Sequence, residues 1–268
     1  MPSFSLLKYV ATPKKLVIAV KHPRTTLLFL KANAVDIPRL RRVIGIKPEE
    51  FNRYVEEIRV NKDFNERVLV RLQNFNSHLK SEKDGTWQIG DTFGVTLYAM
   101  IRFLKPEVIM ETGVSSGLSS SYLLLALEKN KKGKLYSIDF PIKGVVFPEG
   151  AQSGWVIPDE LRHRWYLSIG KSSLMMPAIL ENLKSVDVFF HDSEHTYENM
   201  RWEYETVWPY LNPGLLLSHD INRNHAFSDF SQQVRGKSFT VHAFGLGGIR
   251  KMKGDEEAGE REANDQPA

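Results

Sequence analysis

Between Pro48 and Leu79 the apolar residues recur at helical spacing: Phe51, Val55 and Ile58, then Phe64, Val68, Leu72, Phe75 and Leu79. The spacing predicts two amphipathic helices. After the turn-forming pair Asp84-Gly85 comes one more helical pattern (Val95, Tyr98, Ile101, Leu104), which stops at Lys105-Pro106. From there the pattern changes. Short apolar or β-branched runs at Val108–Thr112, Lys134–Ile138, Trp165–Ile169, Val186–Phe190 and Leu215–Ser218 alternate with helix-length patterns at Leu118–Lys129, Leu174–Leu183 and Tyr197–Leu211. Such alternation predicts βαβ units, hence an α/β fold with a doubly wound, mainly parallel sheet and a helical N-terminal extension. Ser238–Phe244 and Gly247–Met252 flank a Gly-Leu-Gly turn and predict a closing hairpin. The expected division is a helical extension over 1–84, an α/β domain over 85–253 and a disordered acidic tail over 254–268, which lacks apolar anchors.

Composition narrows this picture only a little. With 268 residues, 42% of them hydrophobic and 25% charged, the chain has room for one good-sized core plus an extension. The net charge of +4 includes an acidic tail, so the body is more basic, but no basic run is interleaved with aromatics and no nucleic-acid partner is expected. The absence of cysteine removes disulfides, thiolate metal sites and a cysteine nucleophile, and makes a reducing, cytoplasmic setting the default expectation. Lysines and arginines break up the apolar stretches Leu16–Val20 and Leu27–Leu30 well short of the roughly 18 residues a membrane span needs. A peripheral membrane contact of this arm, or a role in a homo-oligomer, stays compatible with it.

The unusual polar residues collect at the carboxyl ends of the predicted strands, where ligands of open α/β sheets bind. They are Glu111 with the loop Gly113-Val114-Ser115-Ser116-Gly117, then Asp139, Gly170-Lys171-Ser172, Asp192 and Asp220. Glycines at a helix start let backbone N–H groups approach an anion, and an acid after the second strand can accept both hydroxyls of a ribose. A nucleoside-bearing cofactor is implied. The same letters admit other readings. A dinucleotide fingerprint wants glycines where Ser115 and Leu118 stand. The run Gly113–Gly117 also matches a serine hydrolase elbow, although the preceding segment is helical. His191-Asp192-Ser193-Glu194-His195 matches an inverted zinc-protease signature, which requires both histidines on one helix.

The stretches Val108–Gly117, Leu135–Asp139, Gly170–Ser172, His191–Met200 and Pro213–Asp220 together resemble the class I S-adenosylmethionine-dependent methyltransferases, in particular the macrocin-type O-methyltransferase branch. The resemblance implies a Rossmann-like fold, S-adenosylmethionine as cofactor and methyl transfer to a small-molecule acceptor, most readily to a hydroxyl. It implies that Glu111, Gly113, Ser115 and Gly117 hold the methionine end of the cofactor, Asp139 its ribose and Ser172 the adenine edge, with Lys171 standing where many relatives have an acid. It further implies His195 as catalytic base beside Asp192, and a divalent metal such as magnesium on Asp192 and Asp220, where His219-Asp220 replaces a frequent Asp-Asp. Against these roles stand a non-catalytic cofactor-binding module, supported by His219, and a bland one in which Asp192 and His195 merely cap the helix starting near Thr196. The long connection Pro141–Arg164 is expected to cover the site. Tyr204 and Trp208 are expected to be packing residues.

Overall fold

The computed structural model describes residues 23–78, 86–140, 148–211 and 213–252. Expectations that fall on the first 22 residues, on Leu79, on the Asp84-Gly85 turn, on Pro141–Phe147 and on the tail from Gly254 lie outside the described residues. Among the described residues no helix is long and apolar enough to cross a membrane.

The N-terminal part is helical: α1 (Pro23–Lys31) runs through wider turns into α2 (Ile37–Ile44), followed by α3 (Pro48–Arg59), the single turn α4 (Lys62–Phe64) and α5 (Arg71–His78). Prolines open α2 and α3, where a missing N–H costs nothing, and left-handed Gly45 ends α2. After α6 (Thr86–Leu104) the chain alternates as expected. The elements are β1 (Val108–Thr112), α7 (Leu118–Asn130), β2 (Lys134–Asp139), β3 (Trp165–Ile169), α8 (Ser172–Leu183), β4 (Val188–His191), α9 (Tyr197–Val207), β5 (Gly214–Ser218), α10 (Ala226–Gln233), β6 (Lys237–Val241) and β7 (Leu246–Lys251). They build a seven-stranded sheet in the order β3-β2-β1-β4-β5-β7-β6, in which the first five strands run parallel and β7 pairs antiparallel with both β5 and β6. The doubly wound, Rossmann-like fold is thus present.

Among the boundaries that differ from the sequence pattern, such as the end of α9 at Val207 instead of Leu211, two have a visible cause. β4 starts at Val188 rather than Val186, because the Asp187 carboxylate accepts the N–H groups of Glu107 and Val108 at 2.7 and 2.9 Å. The closing hairpin turns at His242–Gly245, with Gly245 left-handed, so Leu246 and Gly247 already belong to β7 and pair with Val241 and Thr240.

Strand alternation divides the core into two faces. Ile109, Leu135, Val188, Phe190, Leu215 and Leu217 point toward α6, α7 and the N-terminal helices. Met110, Ile138, Phe189 and Leu216 point toward α8, α9 and α10. Phe51, Ile58, Phe64, Val68 and Leu72 are buried as their spacing predicts, and in the same core as the sheet. Polar ties reinforce that contact. Glu57 of α3 accepts from Tyr98 and from the guanidinium of Arg102 on α6, and the Arg250 side chain of β7 donates to the last carbonyls of α2.

α6 and α7 approach closely at Gly94, where a Cβ would lie 2.2 Å from the ring of Tyr122. Tyr122 is fully buried and edge-on to Phe64, so its ring has nowhere to go. Helix propensity alone would favour alanine there by about 1 kcal/mol, but overpacking costs about 1–3 kcal/mol. Gly94→Ala is therefore expected to lower the urea unfolding midpoint; a midpoint at or above wild type would show that the ring can move.

Candidate active site

The site is built where the loops after β1 and β4 touch. Gly113 has φ +84°, and a Cβ on it would lie 2.1 Å from the carbonyl oxygen of Asp192, so no other residue lets the two backbones meet. Asp192 N–H donates to Thr112 O and Gly113 N–H to Ile138 O, both at 2.8 Å, which fixes three strand ends together. Ser115 takes the left-handed conformation, φ +50°, that side chains disfavour. This turns its carbonyl to accept from Gly154 N–H at 2.8 Å, while Ser116 O accepts from Val156 N–H. The described part of the long β2–β3 connection thereby lies over the start of α7.

A cavity of about 630 Å³ opens among the ends of β1, β2, β3 and β4; small-molecule sites run roughly 300 to 1,000 Å³. Of the residues singled out in the sequence, Gly113, Ser115, Asp139, Ser172 and Asp192 line it. Glu111 and Gly117 do not. Gly117 is packed against Gly154 and Ile157. Glu111 lies on the opposite face from Thr112 by strand alternation, fully buried, and accepts from the hydroxyls of Ser119, Ser120 and Ser137. Asp139 is nearly buried; it accepts from Val114 N–H at 3.1 Å and from the Ser153 hydroxyl.

Beyond one end of the cavity stands a cluster of two acids and two imidazoles. Asp192 is shared between them. Its Oδ1 lies 2.8 Å from His219 Nδ1 and 3.6 Å from His195 Nε2, and Asp220 lies 3.8 Å from His195 Nε2 and 3.9 Å from His219 Nε2. Burial by itself would raise the Asp192 carboxyl, but His195 and His219 hold it below the ordinary value. Burial would lower His219, and Asp192 and then Asp220 outweigh it and raise it. Among the described residues, Asp192, His195 and His219 form the group that could hold a metal, their ligand atoms within 4.8 Å of one another. The sequence had paired Asp192 with Asp220 for that purpose; here Asp220 is engaged by Arg223 Nε at 2.6 Å, and His219 joins the cluster instead of breaking it. The capping account of Asp192 and His195 is not needed, since Thr196 caps α9 by accepting from Asn199 N–H.

One functional candidate escaped the sequence reading. Glu203, on α9, is fully buried beneath the cavity and accepts from Thr112, Ser193 and Asn199 side chains and from His191 Nδ1. It was legible in principle: Met200, Glu203, Tyr204 and Val207 form one buried stripe at helical spacing, and a charge at core spacing calls for partners. Tyr204 packs in the core as expected, and His191 closes β4, so the two histidines of the zinc-protease pattern share no helix.

The burial of Glu111 raises its carboxyl from 4.5 to about 7, more than the three serine hydroxyls lower it. The folded chain then holds a proton that the unfolded chain has released, so this stabilisation is complete below pH 4.5 and is lost as pH rises through about 7. Relative to Glu111→Gln, which is neutral throughout, the wild type should lose on the order of 3 kcal/mol across that window. Urea unfolding of both proteins at several pH values measures it, and parallel curves would show the carboxyl ionised in the fold.

Comparison with curated protein sequences finds no match. A family model described as a methyltransferase domain matches residues 110–221. Among solved structures, an O-methyltransferase from Bacillus cereus in complex with S-adenosylhomocysteine (SAH) is 15% identical with a TM-score of 0.50, over 74% of this chain and 96% of that one. A methyltransferase from Geobacter sulfurreducens is 18% identical with a TM-score of 0.46, over 68% and 96%. The O-methyltransferase TomG from Streptomyces achromogenes, involved in tomaymycin synthesis and in complex with S-adenosylmethionine, is 16% identical with a TM-score of 0.47, over 61% and 81%. The sheet order is that of a doubly wound, Rossmann-like fold, and residues 110–221 match a methyltransferase domain.

Proposed function

We propose that the chain is an S-adenosylmethionine-dependent O-methyltransferase acting on the hydroxyl of a small molecule. The observation that carries this reading is the position of Asp192, which lines the cavity with one side and centres the imidazole cluster with the other. Cofactor and proton acceptor are thereby neighbours. Gly113 and Ser115 take the methionine end of the cofactor, Asp139 the ribose diol and Ser172 the adenine edge; Glu111 supports the loop from beneath instead of touching the ligand.

The sulfonium leaves as a neutral thioether, so the protein has to align acceptor and methyl in line and remove the acceptor's proton. His195 Nε2 is buried, and its nearest charged neighbours are the carboxylates of Asp192 and Asp220. In the proposed reaction His195 takes the acceptor's proton, and Asp192 and Asp220, whose oxygens lie 3.6 and 3.8 Å from Nε2, stabilise the imidazolium that forms. The cluster also fits a divalent metal, held by Asp192, His195 and His219 with Asp220 adjacent, and two imidazoles suit a borderline transition metal better than magnesium. When bound, such an ion lowers the pKa of a coordinated hydroxyl.

Calorimetry with SAH tests the ribose assignment: Asp139→Ala should weaken binding by about 1.5–3 kcal/mol, the worth of hydrogen bonds to a charged group. Equal affinity would remove Asp139 from the site. Once an acceptor is identified, His195→Ala should keep SAH affinity and cut turnover by roughly 100- to 10,000-fold. Turnover within a few-fold of wild type would refute a role for His195 in proton removal.

A further inference from the structure

The charge of the chain is unevenly placed. Its first 48 residues hold ten lysines and arginines against one acid, Asp36, whereas the remainder holds 26 against 31. The positive excess therefore comes from the N-terminal helices and the segment before them. Asp36 does not offset it at the surface, because its carboxylate is buried and accepts from His242 N–H at 3.3 Å. From Pro23 to Ile44 the backbone is one helical run made of α1, the wider turns and α2. One row along it, Ala32, Asp36, Leu40 and Ile44, is buried against the domain. A neighbouring row with the same spacing of four, Leu27, Lys31, Val35 and Arg39, faces outward. Leu27 is 68% exposed, Val35 55% and the adjacent Leu28 42%, and Arg42 extends the row with another exposed cation.

Aliphatic side chains edged by cations, with no exposed acid among them, match a partner that is anionic and apolar at once. A lipid surface is such a partner: its headgroups take the ammonium and guanidinium groups, and the acyl boundary takes the leucines. Lysine and arginine stems are long enough to serve both layers. We infer that the outer face of α1 and α2 is a docking surface for an anionic lipid bilayer. The 22 residues before α1 continue the same composition, with Lys8, Lys14, Lys15 and Lys21 set among Leu6-Leu7 and Leu16–Val20 and no acid. Other occupants match less of the face. A second copy related by a twofold axis would set cations against cations. The acidic tail from Gly254 has the complementary charge but no leucine, isoleucine, valine or aromatic residue to cover the apolar row. A nucleic acid would take the cations and leave the leucines in water. The face is also preformed, because Leu40 and Ile44 are buried and Arg250 of β7 holds the last carbonyls of α2.

Flotation of the full chain with vesicles reads the contact. Vesicles of phosphatidylglycerol and phosphatidylcholine in equal parts should bind about tenfold or more tightly than phosphatidylcholine alone, and the difference should fade as added salt screens the headgroups. Leu27→Gln combined with Leu28→Gln should weaken binding to the mixed vesicles about 10- to 100-fold, through the apolar area left in water. Lys31→Glu combined with Arg42→Glu should weaken it about 100-fold at low salt. Both pairs replace exposed side chains, so the melting temperature should stay near that of the wild type. Should either pair fail to fold, the dependence of the wild type on lipid charge and salt still decides. Equal affinity for the two kinds of vesicle, or no binding to either, overturns the inference. A loss confined to the charge-reversed pair marks a site for a polyanion such as a nucleic acid and overturns it as well. So does full retention in both pairs, which places the contact elsewhere, and so does a leucine pair that abolishes self-association in place of vesicle binding.

Discussion

The contact between the β1 and β4 loops is the constraint on which the site depends. β1 is the strand from which the sheet is built outward in both directions, to β2 and β3 on one side and to β4 and β5 on the other. Loops leaving such a switch point diverge and open a crevice. Here the crevice is held to a fixed width because Gly113 lets the β1 loop rest on the Asp192 carbonyl. Every residue in the proposed roles is placed relative to that contact. Gly113 and Ser115 line the cavity from one side of it, Asp192 from the other, and Asp139 enters through Val114, which donates to its carboxylate.

Two buried acids, one on each face of the sheet, keep this junction in place. Glu111 gathers hydroxyls from β2 and α7, and Glu203 gathers groups from β1, β4 and the β4–α9 turn. Their environments push them apart. Glu111 accepts from neutral hydroxyls, too little to offset the loss of water, and the charge of Asp192 adds to the rise of its carboxyl. Glu203 has an imidazole as well, and its carboxyl falls. An acid whose carboxyl is raised and one whose carboxyl is lowered thus lie on opposite faces of β1, the lowered one on the side nearer the cavity.

The histidine in place of a second acid beside Asp220 changes the site's electrostatics. An extra carboxylate would have added to the negative charge around Asp192, and only a bound cation would have relieved it. His219 relieves it from within, at 2.8 Å from Asp192 and with its ring 4.7 Å from that of Phe93 on α6. The cluster is thus consistent with proton transfer by imidazole and with an imidazole-favouring metal, both of which depend on the same two rings. The N-terminal helices contribute here too, since α6 packs against α7 and supplies Phe93 to the wall behind His219.

The sequence by itself determined the elements and their order, because the period of apolar residues is a local property that each segment carries alone. The five parallel strands, the helices between them and the amphipathic stripe from Phe51 to Leu72 were all legible in that way, as was the collection of polar residues at the strand ends. α10 was missed because its buried residues, Ala226, Phe227 and Phe230, are too few to display a period. What only the tertiary structure decided were the relations between side chains far apart in sequence. Strand alternation turned Glu111 away from the cavity, toward serines on β2 and α7. The pairing of β1 with β4 set Thr112 beside His191 over Glu203, and that of β4 with β5 brought His219 to Asp192. Each of these depends on register and strand order, which no single segment encodes, and a charge buried by folding acquires its chemistry only from the partners that folding brings to it.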